Sequence, residues 1–83
     1  MKEINYEKLV SDLVYPLVLH PEDMVVKIFS EEDNVITIQI MVNAEDVGRI
    51  IGKKGRVINS VRTIAYACVA RYGKKIEISV DSF

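Results

Sequence analysis

A single cysteine, Cys68, stands in 83 residues, so neither an intramolecular disulfide framework nor a cysteine-rich metal site can be drawn. A reducing cytoplasm is therefore the expected location. No apolar run approaches the roughly 18 uninterrupted residues of a membrane span. The opening MKEINYEKLV puts Glu3 and Glu7 where a signal peptide would carry its apolar region, so none is expected. Low-complexity tracts, repeats and linkers are missing as well. His20 is the lone histidine; with no convergent cysteine or carboxylate pair in the sequence it reads as a turn residue rather than a metal ligand. What remains is ordinary for a soluble globular chain: 49% hydrophobic and 28% charged residues, long enough for one core and too short for two.

The most informative absence is local. Between residues 49 and 75 there is no acid at all, while Arg49, Lys53, Lys54, Arg56, Arg62, Arg71, Lys74 and Lys75 supply eight cations. Residues 1–48 are the reverse, with three lysines against ten acids. The net charge of −1 thus hides a strongly basic segment, which implies an acidic partner for that region.

Apolar spacing gives the elements. Tyr6, Leu9, Val10, Leu13, Val14 and Leu17 recur with helical period, predicting a first helix over about 3–19 that stops at His20-Pro21. Met24 to Phe29 and Val35 to Val42 read as strands. Ile36, Ile38, Ile40 and Val42 share one face of the second, and the charged Glu31-Glu32-Asp33-Asn34 serves as the turn of a hairpin. Asn43 is placed to cap a helix from Ala44 to Ile51, with Glu45 and Asp46 in its first turn. A longer helix runs from Gly55 or Arg56 to about Tyr72. Ile58, Val61, Ala65, Cys68, Val69 and Tyr72 form its inner stripe, and Gly73 closes it. Lys75 to Asp81 alternates as a third strand. The order α-β-β-α-α-β predicts an α+β domain, a three-stranded mixed sheet covered on one face by three helices.

Between the second and third helices lies Gly52-Lys53-Lys54-Gly55. Glycine admits positive φ and close backbone approach. The following helix turns its unpaired amides and positive dipole end toward the loop, and two lysines add mobile charge. Together these make a receptor for phosphate. A Walker A loop is excluded by spacing and by Lys54 where a hydroxyl belongs, and a dinucleotide fingerprint by the absence of a preceding strand. Apolar side chains of Val47, Ile50, Ile51 and Ile58 flank the loop as a groove suited to unpaired bases. Tyr66 is the aromatic placed to join an interface.

A GxxG between two helices, in this element order, is the arrangement of a KH domain. Over nearly its full length the chain resembles the small bacterial single-KH-domain RNA-binding proteins of the KhpA type. The residues that carry the likeness are His20-Pro21-Glu22-Asp23, Ala44-Glu45-Asp46, VGRIIGKKGR from Val47 to Arg56, and Val61-Arg62-Thr63. The resemblance implies one type II KH domain over residues 1–83, cytoplasmic single-stranded RNA binding, and no enzyme activity, cofactor, metal, membrane or small-molecule substrate. It further implies work as an RNA chaperone or post-transcriptional regulator. Self-association is expected, or pairing with a larger Jag-type KH-containing protein. Carried onto this chain, Gly52, Lys53, Lys54 and Gly55 become the backbone clamp, with Arg49 and Arg56 beside it. Val47, Ile50, Ile51 and Ile58 line the groove, and the strand around Ile38 to Ile40 forms its far side. The competing expectation is a protein-interaction subunit that merely keeps the KH shape; such a module has no need for two lysines between the glycines.

Overall fold

The computed structural model describes residues 5–83. Asn5 caps the first helix, its side-chain oxygen accepting from the Lys8 amide at 3.0 Å, and α1 spans Tyr6–Val14. The helix expected to reach residue 19 ends sooner, and its start at residues 3 and 4 lies outside the described residues. Pro16 is the cause: it has no amide hydrogen to donate and its ring crowds the preceding turn. The chain tightens into one 3-10 turn over Tyr15–Leu17 and is extended at Val18. A second such turn, Pro21–Asp23, leads into β1, Val25–Glu32.

The link from β1 to β2 (Val35–Val42) is tighter than the four charged residues suggest. Only Asp33 and Asn34 form the turn, at φ 53° and 65°. Positive φ at both central residues gives the mirror-image hairpin turn whose twist matches that of the strands, and Asp and Asn tolerate that region better than most residues. The remaining elements are α2 (Ala44–Ile51), α3 (Arg56–Ala70) and β3 (Lys75–Ser82). No helix among the described residues is long and apolar enough to cross a membrane.

The sheet order is β1-β2-β3, with β1 antiparallel and β3 parallel to the central β2. Along β2, Ile36, Ile38, Ile40 and Val42 are fully buried beneath the helices. The intervening Thr37, Gln39 and Met41 face the half-open side. Val10 and Val14 from α1, Ile50 from α2, and Ile58, Val61, Ala65 and Val69 from α3 complete the core. The expected α3 stripe is longer than the real one. Tyr72 is 40% exposed, because the helix stops at Ala70 and Gly73, at φ 72°, turns the chain away; Cys68 is half-buried.

Ile28, Ile38 and Ile78 pair across the sheet in one row, and both ends of that row are closed by a side chain. Glu7 on α1 accepts from the Ile28 amide at 3.0 Å. Arg62 on α3 donates to the Ile78 carbonyl through Nε at 3.2 Å and Nη2 at 3.0 Å. At the corner beyond, Lys74 ties three elements together, 5.4 Å from the centre of the Tyr6 ring and 3.3 Å from Glu31. Tyr6 first, and then Glu31, hold its ammonium above the ordinary lysine range.

The centre and one end of the row predict a contrast. Ile38→Ala empties a fully buried site and should lose about 2–5 kcal/mol. Ile28→Ala, at a position 37% exposed, should cost about 1 kcal/mol or less. Urea unfolding of both variants checks the difference.

Candidate nucleic-acid interface

The loop between α2 and α3 is shaped by three consecutive demands on the backbone. Gly52 sits at φ 75°, ψ 172°, a region open essentially to glycine alone. Lys54 is left-handed at φ 57°, ψ 26°, and Gly55 follows at φ 75°, ψ 13°. A side chain at Gly52 is also barred by packing, since an added Cβ would lie 2.9 Å from the Val57 amide nitrogen and against Val57 Cγ2. At Gly55 the nearest atom would be Asn59 Nδ2 at 3.6 Å, an ordinary contact. The two glycines therefore do different work: Gly52 lets α2 and α3 close on each other, and Gly55 opens the first turn of α3.

That first turn lacks what the others have. Asn5 and Asn43 cap α1 and α2 with side-chain oxygens, whereas the N-cap of α3 is Gly55, with none to offer. Amides at a helix start left without a side-chain partner are the groups that bind anions. Lys53, Lys54 and Arg56 around them are exposed, and none is ion-paired among the described residues.

The position of α2, and with it the loop, is set by contacts that composition does not reveal. Asp46, placed with Glu45 in the first turn of α2, is fully buried. Its two oxygens accept from the Leu19 amide at 2.8 Å and the His20 amide at 2.9 Å. Burial pushes the Asp46 carboxyl up, but those two amides, with His20 and Arg49 beyond them, outweigh it and hold the carboxyl below its ordinary value. Arg49 adds a bond from Nε to the Leu17 carbonyl at 3.1 Å, and Asn43 Nδ2 donates to Asp23 at 3.1 Å. His20 is more than a turn residue: its ring lies 3.6 Å from Glu22 and 3.4 Å from Glu45. His20, Glu22 and Asp23 come within 4.8 Å of one another. This grouping fastens the segment before β1 to the start of α2. Its one sequence signal is the acid three residues after Asn43, and that pattern alone cannot say whether the acid faces inward.

The expected groove residues divide. Ile50 is fully buried and Ile58 nearly so; both belong to the core, because each lies on the helix face turned to the sheet. Ile51 is 37% exposed and Val47 half-buried, and these remain beside the loop. Arg49 flanks the loop while tied to Leu17. The far wall is not Ile38 to Ile40, which lie under the helices in the central strand. A furrow of about 550 Å³ opens instead between α3 and the edge strand β3, lined by Arg62, Thr63, Tyr66, Ile76, Glu77 and Ile78. Arg56, Asn59, Arg62, Thr63 and Tyr66 are all exposed and fall on one face of α3 by helical spacing. That face runs from the glycine loop for about 15 Å. A cationic bend at one end and an open furrow with an aromatic at the other thus lie along one helix face.

An α+β fold with a GxxG bend between two helices over a mixed sheet is that of a type II KH domain, a non-enzymatic recognition module. The chain belongs to the KhpA/KhpB KH-domain family, which matches residues 7–80. Among its relatives is the RNA-binding protein KhpA of Listeria monocytogenes, 42% identical over 74 residues that cover 89% of this chain and 96% of that protein. The RNA-binding protein KhpA of Bacillus subtilis is 35% identical over 80 residues, covering 96% of this chain and 98% of the relative. Among solved structures, Era in complex with MgGDPNP and nucleotides 1506–1542 of 16S ribosomal RNA superposes with a TM-score of 0.71 at 23% identity. That match takes in 94% of this chain but only 30% of Era, and it is a likeness of fold.

Two outcomes follow from the geometry. Gly52→Ala should destabilise by about 3 kcal/mol through forced φ and the clash with Val57. Gly55→Asn, left-handed but uncrowded, should cost about 1 kcal/mol or less; thermal melts of the pair decide. Asp46 predicts a pH dependence: with its carboxyl depressed, its contribution is complete above the unfolded value of 3.8 and is lost as pH falls through the folded value. Asp46→Asn should lower stability at neutral pH and flatten its acid limb, as read by unfolding curves between pH 7 and pH 3.

Proposed function

We propose that this protein binds single-stranded RNA, with the Gly52–Gly55 bend clamping the sugar–phosphate chain and the α3–β3 furrow receiving bases. The observation that carries the reading is the start of α3, which no side chain caps, beside two exposed lysines that make no ion pair among the described residues. The relatives from Listeria monocytogenes and Bacillus subtilis, both named RNA-binding protein KhpA, support it. In the binding pose, phosphate oxygens face the first-turn amides of α3 beyond Arg56, whose own amide is bonded to the Lys53 carbonyl, and Lys53 and Lys54 neutralise the charge. Arg56 continues the path. Bases then lie toward Thr63 and Tyr66, with Ile51 and Val47 as apolar neighbours at the loop.

One such site holds about four nucleotides and binds weakly by itself. Two domains on one RNA raise avidity roughly 10²- to 10⁴-fold without a new contact. The working form is therefore a dimer, either of two copies or with a larger Jag-type KH-containing protein, acting in the cytoplasm as an RNA chaperone or post-transcriptional regulator. A KH-shaped subunit that binds only protein would gain nothing from a left-handed lysine between glycines.

Lys53→Glu combined with Lys54→Glu should abolish binding of a short unstructured RNA while leaving the thermal midpoint within a few degrees of the parent. Parent affinity should fall with salt at a slope near −0.7 per phosphate neutralised, and titrations at several salt concentrations measure it. A folded double variant that binds as the parent does, or a flat salt response, removes the clamp.

A further inference from the structure

Resting on that RNA reading, we infer that Asn59 is a further residue of the clamp, giving an uncharged donor to a phosphate oxygen, and that Arg62 positions it. One bond here admits a single polarity. Arg62 Nη1 lies 3.0 Å from the Asn59 side-chain oxygen. A guanidinium donates and never accepts, so the amide atom facing it must be Oδ1, and Nδ2 is turned the other way. Arg62 cannot swing to release it. Its Nε and Nη2 hold the Ile78 carbonyl of β3 at 3.2 and 3.0 Å. A chain of bonds from the sheet edge through the guanidinium thus fixes which end of the amide looks outward.

That end looks at the glycine bend. Asn59 stands four residues after Gly55, on the same helix face, and side chains on a helix lean toward its N-terminus. A Cβ at Gly55 would lie 3.6 Å from Asn59 Nδ2. Because Gly55 has no Cβ, the space in front of the amide stays open. Asn59 is exposed, and among the described residues Nδ2 donates to no group. The nearby hydroxyls of Ser60 and Thr63 offer no rival donor, since each bonds back to a helix carbonyl at 2.9 Å, Ser60 to Arg56 and Thr63 to Asn59.

Asn59 therefore shows the bend two N–H donors, with its oxygen turned to Arg62. The non-bridging oxygens of a phosphate accept without donating and match that set. A 2′-hydroxyl would bring a proton for which Asn59 has no acceptor on that side. Lys53 and Lys54 supply charge on long, mobile stems; the amide adds direction without charge.

The test titrates two heptamers, U₇ and its deoxyribose counterpart dU₇, into the full-length protein by fluorescence anisotropy at several salt concentrations. Asn59→Ala should weaken both by about five-fold, the span of one net hydrogen bond, with the salt slope of the parent, because no cation is lost. Lys53→Ala should instead lower the slope by about 0.7. Asn59→Asp, which still accepts from Arg62 but turns an oxygen to the bend, should bind more weakly than Asn59→Ala. Arg62→Lys keeps the charge without the planar fork; it should weaken binding less than Asn59→Ala and add nothing to it in the double variant. In the parent, the Asn59 side-chain N–H₂ signals should shift in NMR spectra as U₇ is added, a readout that needs no variant. Parent-like binding by Asn59→Ala, a loss confined to U₇, or unmoved Asn59 signals overturns the assignment and leaves RNA binding standing. An additive loss in the double variant ends the positioning role of Arg62. No binding of either heptamer by the parent overturns the RNA reading as well.

Discussion

Val57 fills the space where a side chain at Gly52 would stand, and the loop end of α2 and α3 is organised around that contact. Because α2 and α3 meet so closely there, the three residues after Gly52 must complete a reversal in a single tight turn. That turn has two consequences. It forces a lysine into the left-handed region, and it starts α3 on a glycine that cannot cap it. A left-handed lysine and a helix start with no side-chain cap thus occur at one spot, beside the most basic part of the chain. A fold under selection for stability alone would put an asparagine at such a start, as this chain does twice elsewhere.

The direction of the loop is set at the opposite end of α2. The buried Asp46 carboxylate gathers two amides of the segment before β1, and Arg49 returns a bond to the same segment one turn further on. Helix α2 is thereby fixed to the chain on one side and to the core through Ile50 on the other. The carboxylate stays ionised where burial alone would protonate it, because two well-placed amides replace the water it has lost. Electrostatics and packing agree on one orientation for the short helix, which leaves the loop at its end little freedom to wander.

Much of this was legible in the residues. Alternation located β2 and β3, helical spacing located α2 and α3, and the order of elements with GKKG identified the family and its loop. What escaped did so for physical reasons. Pro16 shortens α1, yet the apolar spacing passes through it unchanged. The difference between Asp46, buried, and Glu45, exposed, is a matter of which helix face meets the loop, and neighbouring acids look alike in a sequence. Ile50 and Ile58 share their helices with residues that do reach solvent, so an apolar groove and an apolar core carry the same pattern. Ile38 and Ile40 proved inaccessible because β2 is paired on both sides, and pairing, rather than hydrophobicity, decides which strand has a free edge.

The closed ends of the Ile28–Ile38–Ile78 row bear on more than local bonding. An open three-stranded sheet has two margins at which another chain can add a strand, a hazard for any small domain present at high local concentration. Here an acidic side chain occupies the amide on one margin and a basic one the carbonyl on the other, each matched in sign to the group it covers. Each margin is therefore interrupted near its middle, which shortens the run of free backbone groups that an added strand could pair with.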